Sequence, residues 1–408
     1  MEQYIKRNVE SLIERTSKSF KAVLVTGARQ TGKSTTISHM FRDINKVTFD
    51  DGYLEEQAKE SPNLFLSLNK SPLFIDEIQY VPSLFRYLKM YCDNSNEYGQ
   101  YILSGSQPFR LMELASDSLA GRVAIIEFPT LSLREIQGIE FNDYFLPTME
   151  YIQSRHPYAK KPEDIWSIIH RGFYPELQNK NVNWYDFYTS YVKTYLEKDI
   201  RDLNSVHDLT AFRKFMVACA SRTGSVLVYA NIASEVGKDE KTIKNWISIL
   251  ESSGIIYLLE PFYHNTLKRA IKSPKLYFRD TGLAAFLTRW TTPEVLANGA
   301  QNGNFFETFV ISELIKSMSN TGLDYKQYIS FYRDRDGKNE TDFIIEMNGT
   351  VYPIEIKSSE SVDVTMSSSF RVFDTLDDKK RGVGAIICSN PAVNYLRDNV
   401  LQIPYWYI

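Results

Sequence analysis

The chain has 408 residues, 43% of them hydrophobic and 24% charged, and a formal net charge of −3. These values are ordinary for a globular protein of two or three domains, and they exclude a global basic field, so any nucleic-acid binding needs a local patch. The three scattered cysteines form no CxxC pair and no stretch approaches the ~18 apolar residues of a membrane span, so we expect a cytoplasmic protein without a zinc ribbon or a disulfide framework.

The first strong motif lies near the N-terminus, in KAVLVTGARQTGKSTTISHM. A strand-like apolar run leads into GxxxxGK[ST], and a helix-like segment follows, which is the context that a P-loop requires. The two glycines permit the tight turn, Lys33 neutralises phosphate charge, and the Ser34 hydroxyl is offered to Mg²⁺. The predicted nucleotide-binding residues are Gly27, Ala28, Arg29, Gln30, Thr31, Gly32, Lys33, Ser34 and Thr35.

A second apolar strand, in SPLFIDEIQ, ends in the two acids Asp76 and Glu77. In open α/β sheets, ligands bind at the carboxyl ends of the strands. Asp76 is therefore predicted to hold Mg²⁺ through water, and Glu77 to polarise the attacking water. A strand that ends in solvated acids is common by itself, but the upstream P-loop favours the catalytic interpretation. The adjacent glutamate also disfavours a domain that binds nucleotide without hydrolysing it.

Two more strands complete the predicted nucleotide domain. The segment QYILSGSQPFRL ends near Ser104 and Ser106, where a sensor would meet the γ-phosphate, and SLAGRVAIIEF places Arg122 just before the last strand. The alternation of strands and helices predicts a parallel sheet.

Here the chain resembles predicted ATPases of the AAA+ superfamily, found in bacteria and archaea, that carry an uncharacterised C-terminal domain. The motifs that carry the resemblance span nearly the whole length: TGARQTGKST, LFIDEIQ, LSGSQPFRLM, SLAGRV, GFYPEL, YLEKDIRDL, YFRDTGLAAFL and NFFETFVISEL. The resemblance implies ATP and Mg²⁺ as cofactors, with the metal at Asp76, hydrolysis through Glu77 and a sensor at Ser104 or Ser106. It also implies a homo-oligomer in which Arg122 contacts ATP as a finger, with a salt bridge inside its own domain as the alternative.

The middle of the chain is predicted to hold a helical lid or connector followed by a winged helix. In VYANIASEVGKDEKTIKNWISILESSGIIYLLEPFY, a short helix, a turn at Gly237, a second helix opened by Asp239 and a β-run follow one another, which is typical of a winged helix-turn-helix. Lys241, Lys244 and Asn245 fall away from the apolar stripe, as contacts to DNA would. The alternative is a module that serves only packing or assembly.

Four basic residues after the β-run extend the local positive charge, although such a run is usually a solvated face. They are Lys268, Arg269, Lys272 and Lys275.

Near the C-terminus, TDFIIEMNGTVYPIEIKSSE reads as two alternating runs joined by Asn-Gly, the strongest short-range hairpin signal. A two-residue turn gives cross-strand partners whose numbers sum to 697. Asp342 then lies opposite Glu355 and Glu340 opposite Lys357, on the face away from the apolar residues. Like charges that oppose each other directly destabilise a hairpin, unless a divalent cation lies between the carboxylates. Lys357 shares this face, and a helix in NFFETFVISELIKS offers Glu307, with Glu313 as the substitute.

An Asp followed by Glu-x-Lys on a neighbouring strand, behind a helical Glu, resembles the PD-(D/E)XK nuclease superfamily. The resemblance implies metal ligation by Asp342 and Glu355, and catalytic roles for Glu307, Asp342, Glu355 and Lys357. One departure is that Thr341, and no proline, precedes Asp342.

The predicted fold class is therefore α/β: a P-loop, AAA+-type parallel sheet, a helical and winged-helix middle, and a C-terminal α/β PD-(D/E)XK-like domain. The predicted boundaries are 1–130, 131–210, 211–264 and 265–408. Two functions fit this organisation. The first is an ATP-hydrolysing enzyme that acts on DNA and cuts it with Mg²⁺. The second is a nucleotide-controlled switch or scaffold whose C-terminal domain binds a partner or DNA without cleaving it.

Overall fold

The computed structural model describes residues 4–106, 108–196, 208–264 and 271–408. Most of the motif YLEKDIRDL, together with Lys268 and Arg269, lies outside these ranges. The α-helices are α1 (Glu10–Ser17), α2 (Lys33–Met40), α3 (Gly52–Glu60), α4 (Pro62–Leu68), α5 (Leu84–Asp93), α6 (Pro108–Leu119), α7 (Leu133–Ile136), α8 (Met149–Arg155), α9 (Ile165–Arg171), α10 (Trp184–Ser190), α11 (Leu209–Ala220), α12 (Tyr229–Val236), α13 (Glu240–Ser252), α14 (Thr281–Leu287), α15 (Pro293–Ala297) and α16 (Asn302–Ser319).

The strands are β1 (Ala22–Thr26), β2 (Asn45–Thr48), β3 (Leu73–Asp76), β4 (Tyr101–Gly105), β5 (Val123–Glu127), β6 (Ser225–Val226), β7 (Ile256–Leu259), β8 (Lys275–Phe278), β9 (Ile329–Arg333), β10 (Glu340–Met347), β11 (Thr350–Ile356), β12 (Lys380–Arg381), β13 (Gly384–Cys388), β14 (Asn394–Arg397) and β15 (Val400–Pro404). A π-helical turn covers Tyr191–Leu196, and short 3₁₀ segments cover Ile78–Tyr80, His156–Tyr158, Pro175–Gln178, Tyr325–Gln327, Val364–Thr375 and Tyr405–Tyr407.

The N-terminal domain is built on a five-stranded sheet in the order β2-β3-β4-β1-β5. Every neighbouring pair in it is parallel, which confirms the sequence prediction. Every residue of β1 and β4 is buried, as expected for central strands covered by helices on both faces. Separate hydrophobic clusters fill the two sides of this sheet. Because β4 lies between β1 and β3, it brings the P-loop and the acidic strand end to one edge.

The helix-turn-helix elements form where the sequence predicts them. Helix α12 ends at Gly237, whose φ of +73° is a left-handed conformation that glycine adopts without strain. Asp239 caps α13, since its side chain accepts a hydrogen bond from Thr242 N at 2.9 Å. The predicted apolar stripe of α13 is buried, and β6, β8 and β7 pair as an antiparallel sheet beside it. The assignment as a winged helix stays a prediction.

The C-terminal part is a seven-stranded mixed sheet, in the order β14-β15-β13-β11-β10-β9 with β12 beside β11. Helix α16 packs against it and is buried nearly all round, which is typical of a core helix. One hydrophobic cluster runs from Leu131 to Ile408. The core is therefore continuous across residues 210 and 264, and the domain boundaries predicted there stay predictions. In the described ranges, no helix is both long and apolar enough to cross a bilayer.

Candidate functional site

The P-loop connects β1 to α2 through a turn that needs both of its glycines. A Cβ atom at Gly27 would lie 2.2 Å from the carbonyl oxygen of Phe128, so no larger residue fits there. Gly32 has a φ of +93°, which only glycine adopts freely. Lys33 is buried, and its Nζ donates to the carbonyl oxygens of Gly27 at 3.0 Å and Ala28 at 2.8 Å. The predicted residues from Gly27 to Thr35 thus lie in one loop and the first turn of α2.

Asp76 and Ser104 meet at the carboxyl edge of the same sheet. Ser104 pairs with Val25, next to the start of the P-loop, and its Oγ donates to Asp76 Oδ1. The contact follows from the strand order, because the carboxyl ends of parallel neighbours lie side by side. Ser104 is therefore the side chain that connects the predicted sensor position to the predicted Mg²⁺ ligand.

Glu77 is held in place by two neighbours, one of which the sequence did not single out. Its Oε2 accepts hydrogen bonds from Ser106 Oγ at 3.1 Å and from Gln79 Nε2. Gln79 is buried against Gly105, where a Cβ atom would lie 2.2 Å from its Oε1. Glu77 itself has a φ of +54°, an uncommon conformation for a residue other than glycine that often marks functional sites.

This edge of the sheet suits a magnesium nucleotide. A buried lysine, a helix N-terminus, a serine hydroxyl and an aspartate are the groups that P-loop proteins offer to phosphates and their metal. Lys33, Ser34 and Asp76 would hold the nucleotide and its Mg²⁺. Glu77 lies one residue beyond Asp76 and presents a carboxylate to the same edge.

Arg7, a residue outside the predicted site, donates a hydrogen bond to the backbone of the P-loop. Its Nη1 donates to Thr31 O at 2.8 Å, and its Nε donates to Glu135 Oε1 at 3.1 Å. Both side chains are almost fully buried, at 2% and 0% exposure. Glu135 also accepts from the backbone N–H groups of Asn8 and Ser132. In the sequence, Glu135 is recognisable only as part of a capping-box pattern at the start of α7. Its pairing with Arg7, 128 residues away, has no local signal.

Arg122 lies at the opposite edge of the sheet from the P-loop of its own chain. Arg122 precedes β5 and accepts a hydrogen bond through its carbonyl from Ala22 N at the start of β1, whereas the P-loop follows the other end of β1. Its guanidinium binds both carboxylate oxygens of Asp93. The structure therefore shows the salt bridge within the domain, and a finger role toward a neighbouring subunit stays a proposal.

The helix-turn-helix unit packs beside the P-loop through the end of α13. A Cβ atom at Gly254 would lie 3.6 Å from Ala28 N, and a cavity of about 660 Å³ lies between these segments and α16. Gly27, Ala28 and Thr31 of the P-loop line part of this cavity, whereas Lys33 and Asp76 do not. The predicted DNA contacts Lys241, Lys244 and Asn245 are exposed on the first half of α13.

The predicted register of the C-terminal hairpin is confirmed over its five paired positions, from Phe343–Ile354 to Met347–Thr350. Asp342 and Glu355 point to the same side, and Lys357 lies between them, with its Nζ 2.9 Å from Glu355 Oε2 and 3.5 Å from Asp342 Oδ2. Asp342 Oδ2 also accepts from Ile356 N at 2.9 Å. The three predicted strand residues are therefore in contact.

Glu340 departs from the predicted pairing with Lys357. Its carboxylate instead binds Lys275 at 2.7 Å and Arg333 at 3.4 Å. The reason is an irregularity between Thr341 and Ile344 in the pairing of β10 with β9, since a bulge redirects the side chains at the end of a strand.

Helix α16 brings Glu307 to this group. Tyr277 Oη donates to Glu307 Oε1 at 2.5 Å, and burial raises the pKa of Glu307 to about 7. The substitute candidate, Glu313, lies elsewhere: it accepts from Leu133 N at 2.8 Å and binds Lys316 at 2.9 Å. Glu307 is therefore the helical carboxylate of the cluster.

Lys275 is part of the same site, and the prediction that it belongs to a solvated positive run is wrong. It is only 3% exposed, and its Nζ lies 3.1 Å from Glu307 and 3.8 Å from Asp342, in addition to its contact with Glu340. Burial alone would lower the pKa of Lys275, but the surrounding carboxylates raise it well above its usual value.

The pKa values of the two acids of the hairpin are shifted in opposite directions. Burial, followed by the nearby Asp342, raises the pKa of Glu355 well above its usual value. Burial would also raise the pKa of Asp342, but the ammonium groups of Lys275 and Lys357 and the Ile356 N–H hold it below its usual value.

These residues do not fit a resident divalent cation as they stand. In the part of the chain that the structure describes, no three His, Cys, Asp or Glu side chains are arranged to hold a metal ion. Ammonium groups occupy the positions beside the carboxylate oxygens that a metal would need. The predicted ligation by Asp342 and Glu355 therefore disagrees with this arrangement.

Comparison with known families supports the reading of the N-terminal site. Residues 19–137 match a family model described as an AAA domain. Residues 162–294 and 302–408 match models described as Domain of unknown function (DUF8612) and Domain of unknown function (DUF4143).

Among curated proteins, an uncharacterized protein of Mycobacterium tuberculosis and one of Mycobacterium bovis are each 25% identical over 372 residues, or 90% of this chain and 77% of theirs. Among solved structures, a Walker-type ATPase of Pyrococcus abyssi overlaps 70% of this chain and 96% of its own at 13% identity, with a TM-score of 0.45. A signal-transduction ATPase of Pyrococcus horikoshii overlaps 78% and 47% at 11% identity, with a TM-score of 0.23. TM-scores this low do not establish a shared overall fold. The family match and the geometry of the phosphate-binding edge together identify residues 19–137 as an AAA-type P-loop ATPase domain.

Proposed function

We propose that the chain binds and hydrolyses ATP at the carboxyl edge of its parallel sheet. The observation that carries the proposal is the convergence of Lys33, the Asp76–Ser104 pair and Glu77 at that edge. Magnesium, when bound with ATP, supplies charge neutralisation at the phosphates. Lys33 binds the phosphates, and Ser104 orients the Asp76 carboxylate. Glu77, fixed by Ser106 and Gln79, orients a water and takes its proton.

Lys33→Ala tests nucleotide binding. Loss of a buried charge-assisted contact costs on the order of 10- to 100-fold in ATP affinity, measured by titration with a fluorescent ATP analogue. Sedimentation of the same samples tests the proposed nucleotide-controlled switch, since ATP should change the assembly state of the wild type and not that of Lys33→Ala. An ATP affinity unchanged in the variant would show that the P-loop does not bind the phosphates.

DNA processing is a second candidate, supported by two surfaces. Lys241, Lys244 and Asn245 are exposed on one half of α13, and Asp342, Glu355 and Lys357 are in contact beside Glu307. The first set would bind phosphates, and the second resembles a nuclease site.

The test incubates the protein with Mg²⁺ or Mn²⁺ and linear, nicked and single-stranded DNA. Cutting that is lost in Lys357→Ala, and binding that weakens a few-fold in Lys241→Ala and Lys244→Ala, would support this candidate. Failure of the wild type to cut any form, both with and without ATP, would leave the alternative of a domain that binds DNA or a partner without cleavage.

A further inference from the structure

The carboxylate cluster (Glu307, Glu340, Asp342 and Glu355) gathers four acids from three elements. Asp342 and Glu355 are buried, and the side chains of Glu307 and Glu340 are 15% and 29% exposed. Ionised carboxylates in such a place repel one another and lose their hydration. The carboxylates that stay ionised therefore need positive charge nearby, supplied either by a metal or by the chain itself.

The chain supplies it from outside the C-terminal sheet. Lys275 is the first residue of β8, which belongs to the three-stranded sheet of the middle of the chain. Two residues along the same strand, Tyr277 also reaches Glu307, as expected for side chains that share one face of a strand. Strand β8 thus inserts an ammonium group and a phenol into an acidic site that α16 and β10 build.

The position of this ammonium matters as well as its charge. Its Nζ lies 2.7 Å from Glu340, 3.1 Å from Glu307 and 3.8 Å from Asp342. A divalent ion would need oxygens of the same carboxylates at roughly 2.0–2.6 Å. Lys275 and a metal therefore compete for one space, and Lys357 occupies the other side of Asp342.

We propose that Lys275 is an internal cation that closes the carboxylate cluster to divalent metals, and that metal binds there only when β8 withdraws this ammonium group. The proposal rests on the second candidate function, of which it is the regulation. The other end of β8 continues directly into Arg279, whose guanidinium binds Glu127 at the end of β5 in the ATPase domain. The strand that carries Lys275 is therefore connected to the ATPase domain through Arg279.

The test measures Mn²⁺ binding to the nucleotide-free full-length protein by electron paramagnetic resonance. Wild type and Lys272→Met, an exposed lysine three residues away, should bind Mn²⁺ weakly at the cluster. Lys275→Met, whose uncharged side chain ends one atom short of the ammonium position, should gain one Mn²⁺ with affinity higher by on the order of 100-fold. Asp342→Asn added to Lys275→Met should abolish that gain.

Two results overturn the proposal. One is a wild type that binds Mn²⁺ at the cluster as tightly as Lys275→Met, and the other is a folded Lys275→Met that gains none. The separation from the nuclease candidate is direct. Gain of Mn²⁺ by Lys275→Met without DNA cutting would refute the nuclease activity and support the role of Lys275 as an internal cation. DNA cutting by a wild type that binds Mn²⁺ freely would support the nuclease activity and refute that role of Lys275.

If Lys275→Met does not fold, the proposal is tested on the wild type by measuring rates of lysine acetylation with mass spectrometry. Lys275 should react far more slowly than Lys272, and millimolar Mn²⁺ should leave its rate unchanged. A rise of the Lys275 rate to that of Lys272 on addition of Mn²⁺ alone would show that the metal displaces the lysine freely, against the proposal.

Discussion

We expect Glu77→Gln to lower ATP turnover by about 10²- to 10⁴-fold while ATP affinity stays close to that of the wild type. The amide has the shape of the carboxylate and still contacts Ser106 and Gln79, but it cannot take a proton from the attacking water. Phosphate release under saturating ATP measures the turnover, and titration with an ATP analogue measures the affinity. The loss should therefore fall on kcat and leave binding intact.

The matched control for this variant is Glu56→Gln, an exposed glutamate on α3 of the same domain, which should keep wild-type turnover. Turnover of Glu77→Gln equal to that of the control would refute the role of Glu77. Loss of ATP affinity in Glu77→Gln would instead show that the carboxylate maintains the shape of the site.

The largest effect on stability is expected from Glu135→Ala. Its carboxylate is the buried partner of Arg7 and accepts from two backbone N–H groups. The substitution leaves a guanidinium buried without its counter-charge, a change that costs about 3–5 kcal/mol of the free energy of unfolding. Urea denaturation followed by circular dichroism measures the difference. Because Arg7 also binds Thr31 O, the variant should weaken ATP binding as well.

A surface pair from the same region provides the control. Lys6 and Glu140 lie 2.7 Å apart with side chains 61% and 69% exposed, and Glu140→Ala should change the free energy of unfolding by less than about 1 kcal/mol. Equal effects of Glu135→Ala and Glu140→Ala would mean that the burial of the Arg7–Glu135 pair does not determine its contribution to the free energy of unfolding.

Local signals predicted the parts of the structure that depend on neighbours in sequence. The hairpin register followed from Asn348 and Gly349, whose φ angles of +52° and +73° are those of a two-residue turn with both central residues left-handed. The P-loop and α13 were likewise predictable, because glycine placement, an aspartate cap and an apolar stripe act within one or two turns of chain.

The rest depended on contacts that no local pattern encodes. Lys275 stood in a run of basic residues and was expected at the surface, but its partners Glu307 and Glu340 lie 32 and 65 residues further along the chain. Arg122 was expected either to contact ATP as a finger or to form a salt bridge inside its own domain, and its partner Asp93 lies 29 residues earlier in the chain. In both cases the sequence showed a charged residue, but it did not show which residues that side chain would contact.

Helix α16 has a mechanical consequence. Glu313 and Lys316 bind the backbone of Leu133 and Leu131, where the chain leaves the ATPase sheet, and Glu307 reaches the carboxylate cluster from the same helix. Six residues of α-helix separate Glu307 from Glu313, or about 9 Å of stiff rod. Because α16 is continuous between these contacts, we expect a displacement of the exit segment to be transmitted along the helix to the carboxylate cluster.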